Sequence, residues 1–203
     1  MADSTNDKDR SEAARSEADR SEADRADEAR YGKAVFGKPI SKKSHAMRVI
    51  ARTLAGAIAR PYFRMEIVGA EKLPKSGPVI IAPSHRSNLD TPLIGIAMTR
   101  YYRYMAKDSM FKSPFWTQIL VLAGGFPVRR GSTDRRTINN AMEVLEAGEG
   151  LVVFPEGARQ DGPRILPLFE GAVWLAARAG VVVYPLGLGG TAPAMPILSL
   201  IHI

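Results

Sequence analysis

From residue 65 onward, short apolar runs alternate with segments of helical periodicity. The runs at 65–69, 78–83, 102–106, 125–129, 150–154 and 181–186 have the length of strands. The segments 89–99, 114–122, 134–147 and 169–179 between them read as helices. Asp134 suits an N-cap ahead of Ile138, Met142 and Leu145, and Gly148 and Gly180 suit helix stops. Strands that alternate with helices predict an α/β fold, a mainly parallel sheet flanked by helices. In such sheets ligands gather beyond the carboxyl ends of the strands, so the residues after each strand matter most.

Ahead of this region the pattern changes twice. Residues 46–59 predict an amphipathic helix, with Met47, Ile50, Leu54 and Ile58 on one stripe and Arg48 and Arg52 on the other side, followed by Arg60. Two readings are open. The stripe packs on the protein's own domain, or it lies in a lipid layer with the arginines near anionic headgroups. Residues 11–30 repeat in fives (SEAAR, SEADR, SEADR, ADEAR), a period that matches neither helix nor heptad. A charged tract with no face to bury is expected to be a disordered or fraying helical tail, with a tethering or solubilising role.

Charge sharpens this division. Residues 1–30 carry ten acidic and six basic side chains, a net of −4; residues 31–203 carry eleven and twenty-two, a net of +11. A body this basic favours anionic partners such as phospholipid headgroups or phosphorylated substrates. Nucleic acid is not expected, because few aromatics accompany the arginines and no recognition helix stands out. There is no cysteine, which excludes disulfides, thiolate metal sites and a cysteine nucleophile. With only His45, His85 and His202, a His-rich metal site is not expected. No stretch reaches the roughly 20 apolar residues of a membrane span. Asp3, Asp7 and Asp9 do not suit a secretory signal.

The chemistry lies at four strand ends. After Val79–Ala82 comes Pro83-Ser84-His85-Arg86-Ser87-Asn88-Leu89-Asp90. Imidazole titrates near neutrality, and a carboxylate five positions on, across a turn, can hold one ring nitrogen while the other takes a proton. The plainer reading is that Asp90 only caps a helix. Val128 is followed by Arg129-Arg130, a pair that can grip phosphate or simply be solvated. Leu151–Phe154 leads into Pro155-Glu156-Gly157-Ala158-Arg159, where Arg159 could bind phosphate and Glu156 could orient a hydroxyl or pair with Arg159. Gly157 allows a close backbone approach. Val181–Tyr184 leads into Pro185 and a Gly-rich loop that is not a dinucleotide fingerprint.

Taken in order, the four blocks resemble the glycerolipid acyltransferase family, in its 1-acylglycerol-3-phosphate O-acyltransferase branch. His85–Asp90 is similar to its His-x4-Asp block, and Gly125-Phe126-Pro127-Val128-Arg129 to its second. Phe154-Pro155-Glu156-Gly157-Ala158-Arg159 resembles Phe-Pro-Glu-Gly-Thr-Arg, and Val182-Val183-Tyr184-Pro185 its fourth. Lys107 resembles a family lysine between the first two blocks. The resemblance covers about residues 60–190. Ala158 replaces the usual threonine, and Glu170 stands where a basic residue is common.

The resemblance implies His85 as general base and Asp90 as its partner, with Lys107, Arg129, Glu156, Gly157 and Arg159 on the substrate phosphate. It implies acyl transfer from acyl-CoA or acyl-carrier protein to lysophosphatidic acid, giving phosphatidic acid, with no other cofactor and no metal. Oxyanion donors would be backbone amides near Gly157, and Phe115–Leu122 would either line an acyl groove or pack in the core. Residues 1–32 are then a tail, 33–64 a membrane-facing segment and 65–197 an acyltransferase domain that stops early. The closing 198–203 read like a translated sequencing adapter. A peripheral position on the cytoplasmic face of an anionic membrane is expected. A catalytically weak membrane-binding module, or an acyltransferase for another lysolipid, is the alternative.

Overall fold

A computed structural model describes residues 42–128, 135–162, 164–165 and 167–195. The expected tail at 1–32, Arg129, Asp134 and the closing residues 198–203 lie outside the described residues, as does the side chain of Met47. Five strands form one sheet: β1 (Val79–Pro83), β2 (Tyr102–Lys107), β3 (Gly125–Val128), β4 (Gly150–Val152) and β5 (Val183–Leu186). Their order is β3-β2-β4-β1-β5, and every pairing is parallel. The predicted α/β class and five of the six predicted strands are therefore present.

The sheet is buried from both sides, as parallel sheets generally are. Val79 and Ile81 of β1, Tyr102 and Tyr104 of β2 and Val152 of β4 form a core with Ile94 of helix α2 (Asp90–Ala97) and the adjoining Met98. Alternation turns Ile80 and Leu151 to the opposite face, where α4 (Arg135–Glu146) and α5 (Gly171–Ala179) pack. Gly148 (φ 76°) and Gly180 (φ 66°) end these two helices in the left-handed conformation, as their positions predict. Gly150 is demanded by packing: a Cβ there would lie 2.5 Å from the Tyr102 ring.

Residues 65–69 form no strand. Arg64 (φ 48°) terminates the preceding helix, and the Met65 amide donates to Arg60 O at 2.9 Å. Gly69 (φ 80°) then turns the chain into a 3-10 turn at Ala70–Lys72. Held at both ends, the segment lines a groove of about 750 Å³ instead. Leu93, Ile94 and Met98 form one wall of that groove, and Leu186, Leu188 and Thr191 another.

Helix α1 (Lys42–Tyr62) is amphipathic as predicted, but it faces the other way from a core-packing helix. Leu54 and Ile58 are 62% and 71% exposed, with Ile50 and Tyr62 also outward, whereas Arg48 is buried. Arg52 Nη1 donates to Met98 O at 2.9 Å and Arg60 Nη2 to Ile96 O at 3.1 Å, both at the C-terminal end of α2. Arg48 Nη2 donates to Val121 O at 2.8 Å, at the end of α3 (Pro114–Leu122). Helix C-terminal carbonyls lack intrahelical donors and carry partial negative charge, so guanidinium groups suit them. The arginines thus brace the ends of α2 and α3, Arg48 from a buried position and Arg60 from an exposed one. Tyr101 lies between Arg48 and Arg52, each guanidinium 5.6 Å from its ring centroid.

Candidate active site

Sheet order brings the separate sequence blocks together. Because β4 lies between β1 and β2, the loop after β4 sits beside the loop after β1. Lys107, exposed at the end of β2, lies on the other side of β4.

His85 follows β1 directly and is 7% exposed; Asp90 opens α2 and is fully buried. His85 Nδ1 and Asp90 Oδ2 are 2.8 Å apart. The same oxygen accepts the backbone N–H of Arg86 at 2.6 Å and of Ser87 at 2.7 Å. Both readings of Asp90 therefore hold: it caps the turn into α2 and it holds the imidazole. Burial alone would raise its pKa. The hydrogen bond from His85, the nearby Thr191 hydroxyl and the hydrogen bonds from the Ser87 and Arg86 amides outweigh that and keep the carboxyl below the usual range. An ionised Asp90 fixes the proton on Nδ1 and leaves Nε2 as the acceptor. Nε2 has no partner among the described residues, and it is not one of the polar atoms closed off from solvent.

The loop after β4 clamps this pair. Phe154 stacks on the His85 ring, centroids 4.0 Å apart and planes 26° apart. Glu156 Oε1 accepts the His85 backbone N–H at 2.9 Å, and Oε2 pairs with Arg86 Nη1 at 2.7 Å. The Gln160 amide donates to His85 O at 2.9 Å, and Arg86 Nη2 donates to Arg164 O at 2.9 Å.

These contacts revise several expectations. Glu156 is 3% exposed with both oxygens engaged, so it supports the His85 loop and is not available to a substrate phosphate. Its cationic partner is Arg86, while Arg159 Nη1 donates to Asn88 Oδ1. Gly157 does need its positive φ of 68°, but a Cβ there would strike the Phe169 ring at 2.8 Å, so a side chain and not a ligand covers it. The Gly157 and Ala158 amides donate to Phe154 O and Glu156 O, which removes both as oxyanion donors. Arg159, only partly exposed, and Lys107 remain the cations at the strand ends among the expected residues; Arg129 lies outside the described residues. The helix containing Phe115–Leu122 buries none of its residues, and Phe115 and Trp116 are exposed. A mainly apolar groove lies instead between α2 and Tyr184–Leu188.

Arg86, Phe154 as a ring support, Gln160 and Thr191 were not foreseen as site residues. Arg86 stands inside the first block, and only its position beside His85 hinted at a role. Replacing Glu156 with Ala should cost roughly 3 kcal/mol in stability, since it strands the largely buried Arg86 guanidinium. Urea unfolding of the variant would measure this, and a midpoint equal to wild type would show the pair is not holding the loop.

The acyltransferase family model matches residues 64–189. The 1-acyl-sn-glycerol-3-phosphate acyltransferase BAT2, chloroplastic, of Brassica napus is 30% identical over 72% of this chain and 43% of its own length. A lyso-ornithine lipid O-acyltransferase of Pseudomonas aeruginosa is 31% identical over 59% of this chain and 46% of its own. The chain thus spans less than half the length of these curated relatives. The crystal structure of the 1-acyl-sn-glycerophosphate (LPA) acyltransferase PlsC from Thermotoga maritima shares the fold. Its TM-score is 0.61 at 24% identity, over 78% of this chain and 66% of that one.

Proposed function

Since this chain belongs to the acyltransferase family, we propose that it moves an acyl group from a thioester to the free hydroxyl of a lysophospholipid, lysophosphatidic acid being the acceptor that its relatives' names favour. The observation that carries the reading is the 2.8 Å contact between His85 Nδ1 and Asp90 Oδ2, with Nε2 left open at a strand end.

The acceptor O–H gives its proton to His85 Nε2 as its oxygen attacks the thioester carbonyl carbon. Asp90 stabilises the imidazolium that results. Collapse of the tetrahedral adduct breaks the C–S bond, and the thiolate leaves with the proton from Nε2. The product is the ester, phosphatidic acid when lysophosphatidic acid is the acceptor. The sum balances without a cofactor, a metal or an acyl-enzyme. Arg159, Lys107 and Arg129 offer positive charge for the acceptor phosphate. The 750 Å³ groove offers apolar walls for an acyl chain, and its far side is tied to Ser84, whose Oγ accepts the Leu188 N–H at 3.2 Å.

Assays with radiolabelled acyl-CoA and acyl-carrier protein against a panel of lysolipids test this. Transfer to lysophosphatidic acid well above the other acceptors is the expected result. Transfer to lyso-ornithine lipid alone would move the acceptor, and no transfer to any lysolipid would sink the reading.

We further place the protein peripherally on the cytoplasmic, anionic surface of a membrane. The outward stripe of α1 supports this, and among the described residues no helix is long and apolar enough to cross a membrane. Changing Leu54 and Ile58 together to Glu should lower partition onto phosphatidylglycerol vesicles about tenfold or more. Melting should be little changed, because both side chains face solvent. Unaltered flotation would exclude the stripe as the docking face.

A further inference from the structure

Asp90 is held unevenly. Three donors (His85 Nδ1, Arg86 N and Ser87 N) converge on Oδ2. Oδ1 of the same carboxylate is closed to solvent and has no completed hydrogen bond. Thr191 Oγ1 is in the same condition, in a residue only 6% exposed. The Thr191 hydroxyl lies close enough to this carboxylate to favour its ionised form. Each orphan is what the other lacks: a hydroxyl donor, and an anionic oxygen with free lone pairs. Leaving either unpaired in the interior is costly, and a hydrogen bond to a charged acceptor is worth more than one to a neutral one.

Thr191 is also placed firmly. Gly190 (φ 79°) turns the chain into the short helix α6 (Thr191–Ala194). At the other end of α6, Ser87 Oγ donates to Met195 O at 2.7 Å. The site thus sits between a left-handed turn and a bond back to the catalytic loop. It lies beyond the stretch matched to the family and outside all four sequence blocks.

We infer that Thr191 is a positioning residue for the His85–Asp90 pair, its hydroxyl donating to Asp90 Oδ1 so that the carboxylate cannot rotate about Cβ–Cγ and Oδ2 stays aimed at Nδ1. The inference rests on the catalytic reading given above for that pair. Thr191 touches no reacting atom in this scheme. Because Thr191 also stands in a wall of the apolar groove, losing its hydroxyl alone, in a side chain of the same shape, is expected to degrade the chemical step and spare substrate binding.

The test compares Thr191→Val, nearly the same in shape, with Thr191→Ser in the full chain. The Nδ1 proton of His85, followed by NMR on ¹⁵N-histidine-labelled protein, is expected to shift or broaden in Thr191→Val and to return in Thr191→Ser. In the lysophosphatidic acid assay, kcat should fall about tenfold in Thr191→Val, the scale of one hydrogen bond to a charged group, with KM for both substrates within about twofold. A wild-type resonance and kcat in Thr191→Val would overturn the inference. So would a serine variant as impaired as valine, or a loss confined to KM. If wild type transfers acyl groups to no lysolipid, the functional reading fails, and the resonance comparison still decides the role of Thr191.

Discussion

Replacing His85 with Ala should reduce acyl transfer by about 10²–10⁴-fold, the usual contribution of a positioned general base. Nothing else within reach can substitute: among the described residues His85 is the sole histidine at the strand ends, and Glu156 is locked between the His85 amide and Arg86. The loss should fall on kcat, since the ring is needed for proton transfer and not for gripping phosphate. The fold should survive, because the Arg86 and Ser87 amides still satisfy Asp90 and the Glu156 contact is to the backbone at position 85. Circular dichroism, together with steady-state rates in lysophosphatidic acid and acyl-CoA, checks both halves. A folded His85→Ala protein with near wild-type kcat would remove the proposed chemistry.

Asp90→Asn should be almost as damaging to rate and more damaging to structure. Its amide can put an N–H where Oδ2 now accepts three donors, so one or more of His85 Nδ1, Arg86 N and Ser87 N loses its acceptor. The imidazole is then free to adopt the wrong tautomer. In the serine-protease triad the equivalent change costs about 10⁴ in kcat. Each stranded buried donor costs about 1–3 kcal/mol, so the midpoint of urea unfolding should fall clearly.

The pH dependence has a definite sign. Asp90's carboxyl is held below its ordinary range, so its contribution to stability is complete above that range. The contribution is lost as pH falls through the lowered value. The wild-type advantage over Asp90→Asn should therefore shrink under acid. An advantage that stays constant down to pH 2 would mean that folding does not lower this carboxyl's pKa.

Sequence periodicity located most strands because β1 and β4 are uniformly apolar runs bounded by breakers, a pattern with few other solutions. It failed at 65–69 because Met65, Ile67 and Val68 look like a strand, whereas Arg64 and Gly69 take left-handed backbone at either end. For α1 the period was legible and the direction stayed open. A hydrophobic stripe says which residues share a face, not what that face meets. The decisive groups were carbonyl oxygens of Ile96, Met98 and Val121, which have no signature in a string of letters.

The site divides in the same way. His85 and Asp90 were legible through the four ordered blocks and the resemblance they carry, since the five-residue offset alone also fits a plain helix cap. The true partner of Glu156 was not, since Arg86 and Arg159 are equally plausible cations and only the adjacency of β1 and β4 selects between them. Thr191 carried no signal, being one hydroxyl about a hundred residues from the carboxylate it lies near.

The inside-out arrangement of α1 means that one helix answers to two masters. Under the proposed docking, drift on its outer side is free to tune lipid affinity, because those side chains are mostly exposed. Drift on its inner side is not, because each guanidinium there plugs the tail of a helix behind the active cleft. Under the proposed membrane docking, adaptation to a different bilayer should therefore be written mainly at positions such as 50, 54 and 58, with the basic ones standing still.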